Sequence, residues 1–137
     1  MERKISIQER TERFAIRIVK AYVELNKKPF DDASKVLSKQ LLRAGTSIGT
    51  NCAEAEFAQS HKDFISKYSI ALKEASETRY WIKILINAEV VPAQKFTALQ
   101  SELDTIIRIL VTSINTLKQK QVTSNKSLFI FYFLLIT

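Results

Sequence analysis

Apolar residues recur along most of this chain at steps of three and four, and over no sustained stretch at steps of two. Phe14, Ile18, Ala21 or Tyr22, and Leu25 form a first stripe. Leu37, Leu41, Ala44, Ile48, Cys52 and Ala55 form a second. Phe64, Tyr68, Ala71, Ala75, Thr78, Ile82 and Leu85 form a third, widened by Ile65, Leu72 and Ile86. The fourth is Phe96, Leu99, Leu103, Ile106 or Ile107, Leu110, Ile114 and Leu117. This is the period of amphipathic helices laid against a shared core, and it argues against strands.

Residues between the stripes set the helix limits. A first helix is predicted over about Ile7–Asn26, ended by Lys27, Lys28 and Pro29, because the residue before a proline avoids helical geometry. A second spans about Ser34–Phe57, with Asp31, Asp32 or Ser34 able to cap its N-terminus. A third runs from His61 to about Asn87, capped by Ser60. After Val91 and Pro92 a fourth covers about Ala93–Lys118, with the proline harmless at a helix start. Long helices joined by short loops predict an all-α, up-down-up-down antiparallel four-helix bundle. The expected division is a bundle over 1–119 and an apolar C-terminal tail over 120–137.

The tail breaks the pattern. Val122 to Lys126 is mostly polar, and Leu128–Ile136 is nine apolar residues in succession. A membrane-spanning helix needs about 20 residues, so this run is too short to cross. Left exposed, it is an aggregation hazard. Three readings stand: it packs on the bundle or a neighbouring subunit, it touches a membrane surface, or it is a non-native or disordered end.

The two glycines in the chain, Gly45 and Gly49, lie four apart inside the second helical pattern. Each costs a helix interior about 1 kcal/mol relative to alanine. Either they kink the helix or they let a neighbouring helix come close. Gly45, Ile48, Gly49, Asn51 and Cys52 are therefore the candidate packing residues. Asn51 falls near the core stripe, where an unpaired amide would cost about 1–3 kcal/mol, so a hydrogen bond to another helix is expected.

The segment LLRAGTSIGTNCAEA followed by HKDFISKYSIALKEASETRYWIKIL resembles the family of proteins encoded by intervening sequences of bacterial 23S ribosomal RNA genes. The small-residue run of that family corresponds to Ser47, Ile48, Asn51, Ala53 and Glu54. The start of its third helix corresponds to Lys62, Asp63 and Phe64. The body of that helix corresponds to Ala71, Leu72, Glu74, Ala75, Glu77, Thr78, Tyr80 and Trp81. The likeness covers residues 8 to 119. Two departures stand out: Cys52 where isoleucine is frequent, and the apolar tail, since family members usually stop near the end of helix four. The resemblance implies a four-helix bundle that forms ring-like homopentamers and has no catalytic residues. It also implies kinship with accessory subunits of the reverse transcriptases of diversity-generating retroelements, which bind nucleic acid through basic surface.

Charge changes the picture at the front of the chain. The protein carries 21 Lys and Arg against 14 Asp and Glu, a net charge of +7. Up to Arg43 there are eleven cationic and six acidic side chains. Arg10, Arg13, Arg17, Lys20 and Lys27 line one side of the first helix, interrupted by Glu24. Such a stripe can contact phosphates and release counterions, giving salt-sensitive binding with little sequence preference. It is also what a solvated helix face looks like when Glu9, Glu12 and Glu24 balance it. The candidate nucleic-acid contacts are Arg10, Arg13, Arg17 and Lys20, extended by Lys27, Lys28 and Arg43.

Nothing in the chain suggests catalysis. One histidine, His61, and one cysteine, Cys52, form no metal-ligand pattern. A carboxylate-bridged metal centre in a bundle needs a Glu-x-x-His pair on each of two helices, and this chain has none. Glu54 and Glu77 are instead expected to bond with Asn51, Arg79 or a partner subunit. No Gly-rich phosphate loop is present. A lone cysteine gives no disulfide, and the charged N-terminus is no signal peptide. The expectation is a cytoplasmic, non-enzymatic homo-oligomer with no cofactor and no membrane partner, binding RNA or DNA. The alternatives are a protein-interaction adaptor, for example for a reverse transcriptase, and a structural bundle without nucleic-acid contact.

Overall fold

The computed structural model describes residues 3–27, 29 and 31–136. They form four helices: α1 (Ile7–Leu25), α2 (Asp32–Ala55), α3 (His61–Asn87) and α4 (Ala93–Ile136). No strand occurs among the described residues. Each helix packs on its neighbours in sequence, and α1 also meets α4, so the four close into a ring around one core. The α1–α4 seam is the most sparsely packed of the four.

Side-chain caps explain where three helices begin. Ser6 accepts the Glu9 N–H at 3.1 Å, Asp31 accepts that of Ser34 at 2.7 Å, and Ser60 accepts that of Asp63 at 3.0 Å. Each satisfies one of the N–H groups that a helix start leaves unpaired. Because Asp31 takes the cap, α2 starts at Asp32, two residues before the expected Ser34. The hydrogen bonds hold the Asp31 carboxyl below its ordinary pKa, that from the Ser34 backbone most. The Asp63 side chain in turn accepts the Gln59 N–H at 3.2 Å, so the α2–α3 turn is tied from both sides.

The α3–α4 turn is built differently. Glu89 has φ 59°, the left-handed region. Its N–H donates to the Ile86 carbonyl at 3.0 Å, and that of Val90 donates to the Leu85 carbonyl at 3.0 Å. This is the glycine-type helix stop, made here by a glutamate. The left-handed conformation costs a side-chain-bearing residue about 1–2 kcal/mol. Glu89→Gly removes that cost but loosens the unfolded chain, which returns about 0.4–1 kcal/mol of it. A gain of about 0.5–1 kcal/mol in unfolding free energy is expected, measured by denaturant titration.

The core contains the predicted stripes. Phe14, Ile18, Leu41, Ile48, Cys52, Ala71, Ala75, Ile82, Leu85, Leu103, Ile106 and Leu110 are almost wholly buried. Thr11 and Thr78 are buried too, and each sends its hydroxyl to a carbonyl one turn back, which removes the penalty of a buried donor.

Helix four differs from expectation. It does not stop near Lys118 but continues through the polar stretch to Ile136, 44 residues in all, or about 66 Å at 1.5 Å per residue. No glycine or proline interrupts 119–136. Packing, not backbone, marks the change: Ile114 is the last buried residue, and Leu128–Ile136 are all exposed. The apolar run is therefore helical and does not pack on its own bundle. No helix among the described residues is long and apolar enough to cross a membrane.

Candidate nucleic-acid interface

The interface begins with what α1 does on its inner side. A Cβ added at Gly45 would lie 2.8 Å from Cγ1 and 2.9 Å from Cγ2 of Ile18. One added at Gly49 would lie 3.3 Å from the Thr11 carbonyl oxygen. The glycines are therefore contact points between α1 and α2, and α2 runs unbroken through both. The contact bears on the close-approach reading, and α2 stays helical through both glycines. Ile48 and Cys52 complete this packed side of α2, both at 0 % exposure. Burial pushes the Cys52 thiol up to about 11, so it stays protonated, with the Thr11 hydroxyl at hydrogen-bond distance. That makes it a packing group and a poor nucleophile. His61 is exposed at the start of α3.

Asn51 behaves otherwise than expected. Its Nδ2 donates at 2.8 Å to the Ser47 carbonyl, on its own helix. Helical side chains lean toward the N-terminus, so a carbonyl one turn back is the nearest acceptor. Glu54 and Glu77 also choose partners that the sequence did not suggest. Glu54 accepts from Lys67 Nζ at 2.7 Å, and Glu77 accepts from Arg43 and from Trp81 Nε1, the latter at 3.1 Å. Arg79 pairs with Asp104 at 2.6 Å.

With Thr11, Phe14 and Ile18 turned inward, the cations of α1 are left toward its outer side and toward α4. Their states differ. Arg10 Nη1 meets Glu102 Oε1 at 2.8 Å across the α1–α4 seam. Arg13 Nη2 meets Glu9 Oε1 at 2.6 Å but keeps its side chain 61 % exposed. Lys27 pairs with Glu24 at 2.8 Å in open solvent, an arrangement worth little. Arg17 and Lys20 have no carboxylate partner among the described residues. Lys28 lies outside the described residues.

Arg43 stands apart from this group. It lies on α2 and reaches Glu77 and, at 3.4 Å, Glu74 on α3. The hydrogen bond from Arg43 holds the Glu77 carboxyl below its ordinary range, and that bond holds the guanidinium above its own. Arg43 is thus a clamp between α2 and α3.

One feature of α1 escaped the sequence reading. Ile16, Val19 and Val23 recur at steps of three and four and are 48 %, 43 % and 52 % exposed. They form a short apolar strip beside the cations. The same spacing that reveals a core stripe hides a second, solvent-facing one, because both obey the helical period. Among the described residues no cluster of three or more His, Cys, Asp and Glu side chains is placed to hold a metal ion.

Residues 3–112 match the family model described as 23S rRNA-intervening sequence protein. The chain is also similar to a solved protein of unknown function from the S23 ribosomal protein family of Bacteroides thetaiotaomicron. The two share 42 % identity and a TM-score of 0.72 over 80 % of this chain and 98 % of that one. No curated protein matches. The chain belongs to the 23S rRNA-intervening sequence protein family.

Proposed function

We propose that this family member is a non-enzymatic, cytoplasmic, self-associating bundle that binds RNA or DNA with little sequence preference through the outer side of α1. The observation that carries this reading is the placement of Arg13, Arg17 and Lys20 on one helix, the last two without carboxylate partners among the described residues. Cations held about 5–6 Å apart along a helix can follow a phosphate backbone, and their binding is driven by counterion release. Base-specific recognition is not part of the proposal, which rests on phosphate contacts alone.

Self-association is supported by the strip Ile16, Val19 and Val23, whose exposure a second copy would relieve. The family resemblance makes a homopentamer the proposed assembly. Light scattering that gives a mass near 15.7 kDa at micromolar concentration would remove it. The same strip favours one other reading, an adaptor that docks on a protein such as a reverse transcriptase and never touches nucleic acid.

Salt separates the two. Three phosphate contacts give a slope of log affinity on log salt of about −2 to −3. Raising salt from about 50 to about 200 mM should then weaken binding to single-stranded RNA, for which the slope is near −2, by roughly 20-fold. Affinity that stays level across that range excludes phosphate contacts as the source of binding.

A further inference from the structure

The sparse α1–α4 seam opens into a cavity of about 220 Å³ lined by Ile5, Arg10, Arg13, Phe14, Arg17 and Glu102. Three arginines face one carboxylate, so the lining carries a charge of +2. Counting the ion-paired neighbours Arg3 and Glu9 leaves that value unchanged. Glu102 takes only Nη1 of Arg10. The Nε–H of Arg10 is buried and has no acceptor among the described residues. That nitrogen is closed to the cavity, so Arg10 acts on a guest there through its charge.

We propose that this cavity seats a single phosphate monoester, as carried by the end of a nucleic-acid strand. Two properties select that group. A monoester carries a charge of about −1.5 to −2 at neutral pH, which matches the lining, whereas a backbone diester carries one charge and has a sugar on each side. The volume equals that of about seven waters, enough for one phosphoryl group with a few waters. Ile5 supplies apolar wall, which strengthens a charge-assisted bond by excluding solvent. Glu102 holds Arg10 in place and, being anionic itself, requires the guest to be seated on the arginine side. The inference rests on the nucleic-acid reading for the source of the phosphate, but not for the chemistry of the seat.

Two single-stranded RNAs of identical sequence, one with a 5′-phosphate and one with a 5′-hydroxyl, test it by fluorescence anisotropy, with inorganic phosphate as a separate ligand in calorimetry. The phosphorylated strand is expected to bind at least about tenfold more tightly, the scale of one charge-assisted hydrogen bond. Arg10→Met, which keeps the apolar stem, should bring the ratio of the two affinities to about one. Equal affinity of the wild type for both strands overturns the seat while leaving the nucleic-acid reading intact. Binding of inorganic phosphate with no binding of either strand supports the seat and overturns the nucleic-acid reading. Binding of none of the three overturns both. If Arg10→Met fails to fold, the wild-type comparison decides alone.

Discussion

Replacing Arg13 and Arg17 together by glutamate is expected to weaken binding to single-stranded RNA by about a hundredfold while the bundle stays folded. Each reversal removes one attraction and adds one repulsion. Each unit of charge next to a phosphate is worth about 1 kcal/mol in water. Four such changes, reduced by salt screening, come to roughly 3 kcal/mol, and every 1.4 kcal/mol is tenfold in affinity. The fold should tolerate the change. Arg13 is exposed, and Glu9, its ion-pair partner among the described residues, sits one turn away. A glutamate facing Glu9 costs about 0.2–0.5 kcal/mol. Among the described residues Arg17 has no ion pair to lose. The control is Lys73→Glu with Lys83→Glu, the same change in net charge on α3, across the ring from α1. If the control weakens binding as much as the α1 pair, only net charge matters and the interface is misplaced.

Gly45→Leu is expected to destabilise the bundle by about 2 kcal/mol or more. Leucine is the better helix former by about 1 kcal/mol, so a solvent-facing site would be stabilised. Here the new Cβ alone falls under 3 Å from both γ-carbons of Ile18. Those atoms are branched next to the backbone and cannot swing aside as a chain end does. Overpacking of this kind costs about 1–3 kcal/mol, occasionally more, and leucine adds three further carbons. Ile18→Ala opens the same space, so the double variant should lose less than the two single losses added together. Thermal melting at fixed protein concentration reads all four proteins, since the midpoint of a self-associating protein depends on concentration. A rise in melting temperature for Gly45→Leu would mean that α1 and α2 do not touch at this point.

These two expectations differ in how far the sequence led to them. Two glycines in a helical pattern are expensive, so they call for a contact, and the contact is there against Thr11 and Ile18. Ser60, placed just before a periodic run, gave the start of α3 correctly. Local chemistry of this sort is legible because cause and effect lie within a turn or two. Pairing between helices is not. Arg10 and Glu102 are 92 residues apart, and Arg43 and Glu77 are 34 apart. No periodicity says which cation meets which carboxylate. That is why Arg43, placed among the nucleic-acid contacts on charge alone, turns out to be clamped between Glu74 and Glu77. It is also why Arg17 and Lys20 could not be separated from Arg10 in advance. The length of α4 was missed for a different reason. A change from amphipathic to polar to wholly apolar sequence signals a change of surroundings, and helical backbone needs only the absence of glycine and proline to run through all three.

Nucleic acid is proposed to lie along the outer side of α1. Lysine acetylation read by mass spectrometry, with and without saturating single-stranded RNA, addresses it directly. Lys20, exposed on α1, should lose reactivity by several-fold, while Lys39 on α2 and Lys83 on α3, also exposed, keep theirs. Saturated RNA with Lys20 as reactive as before would contradict the account.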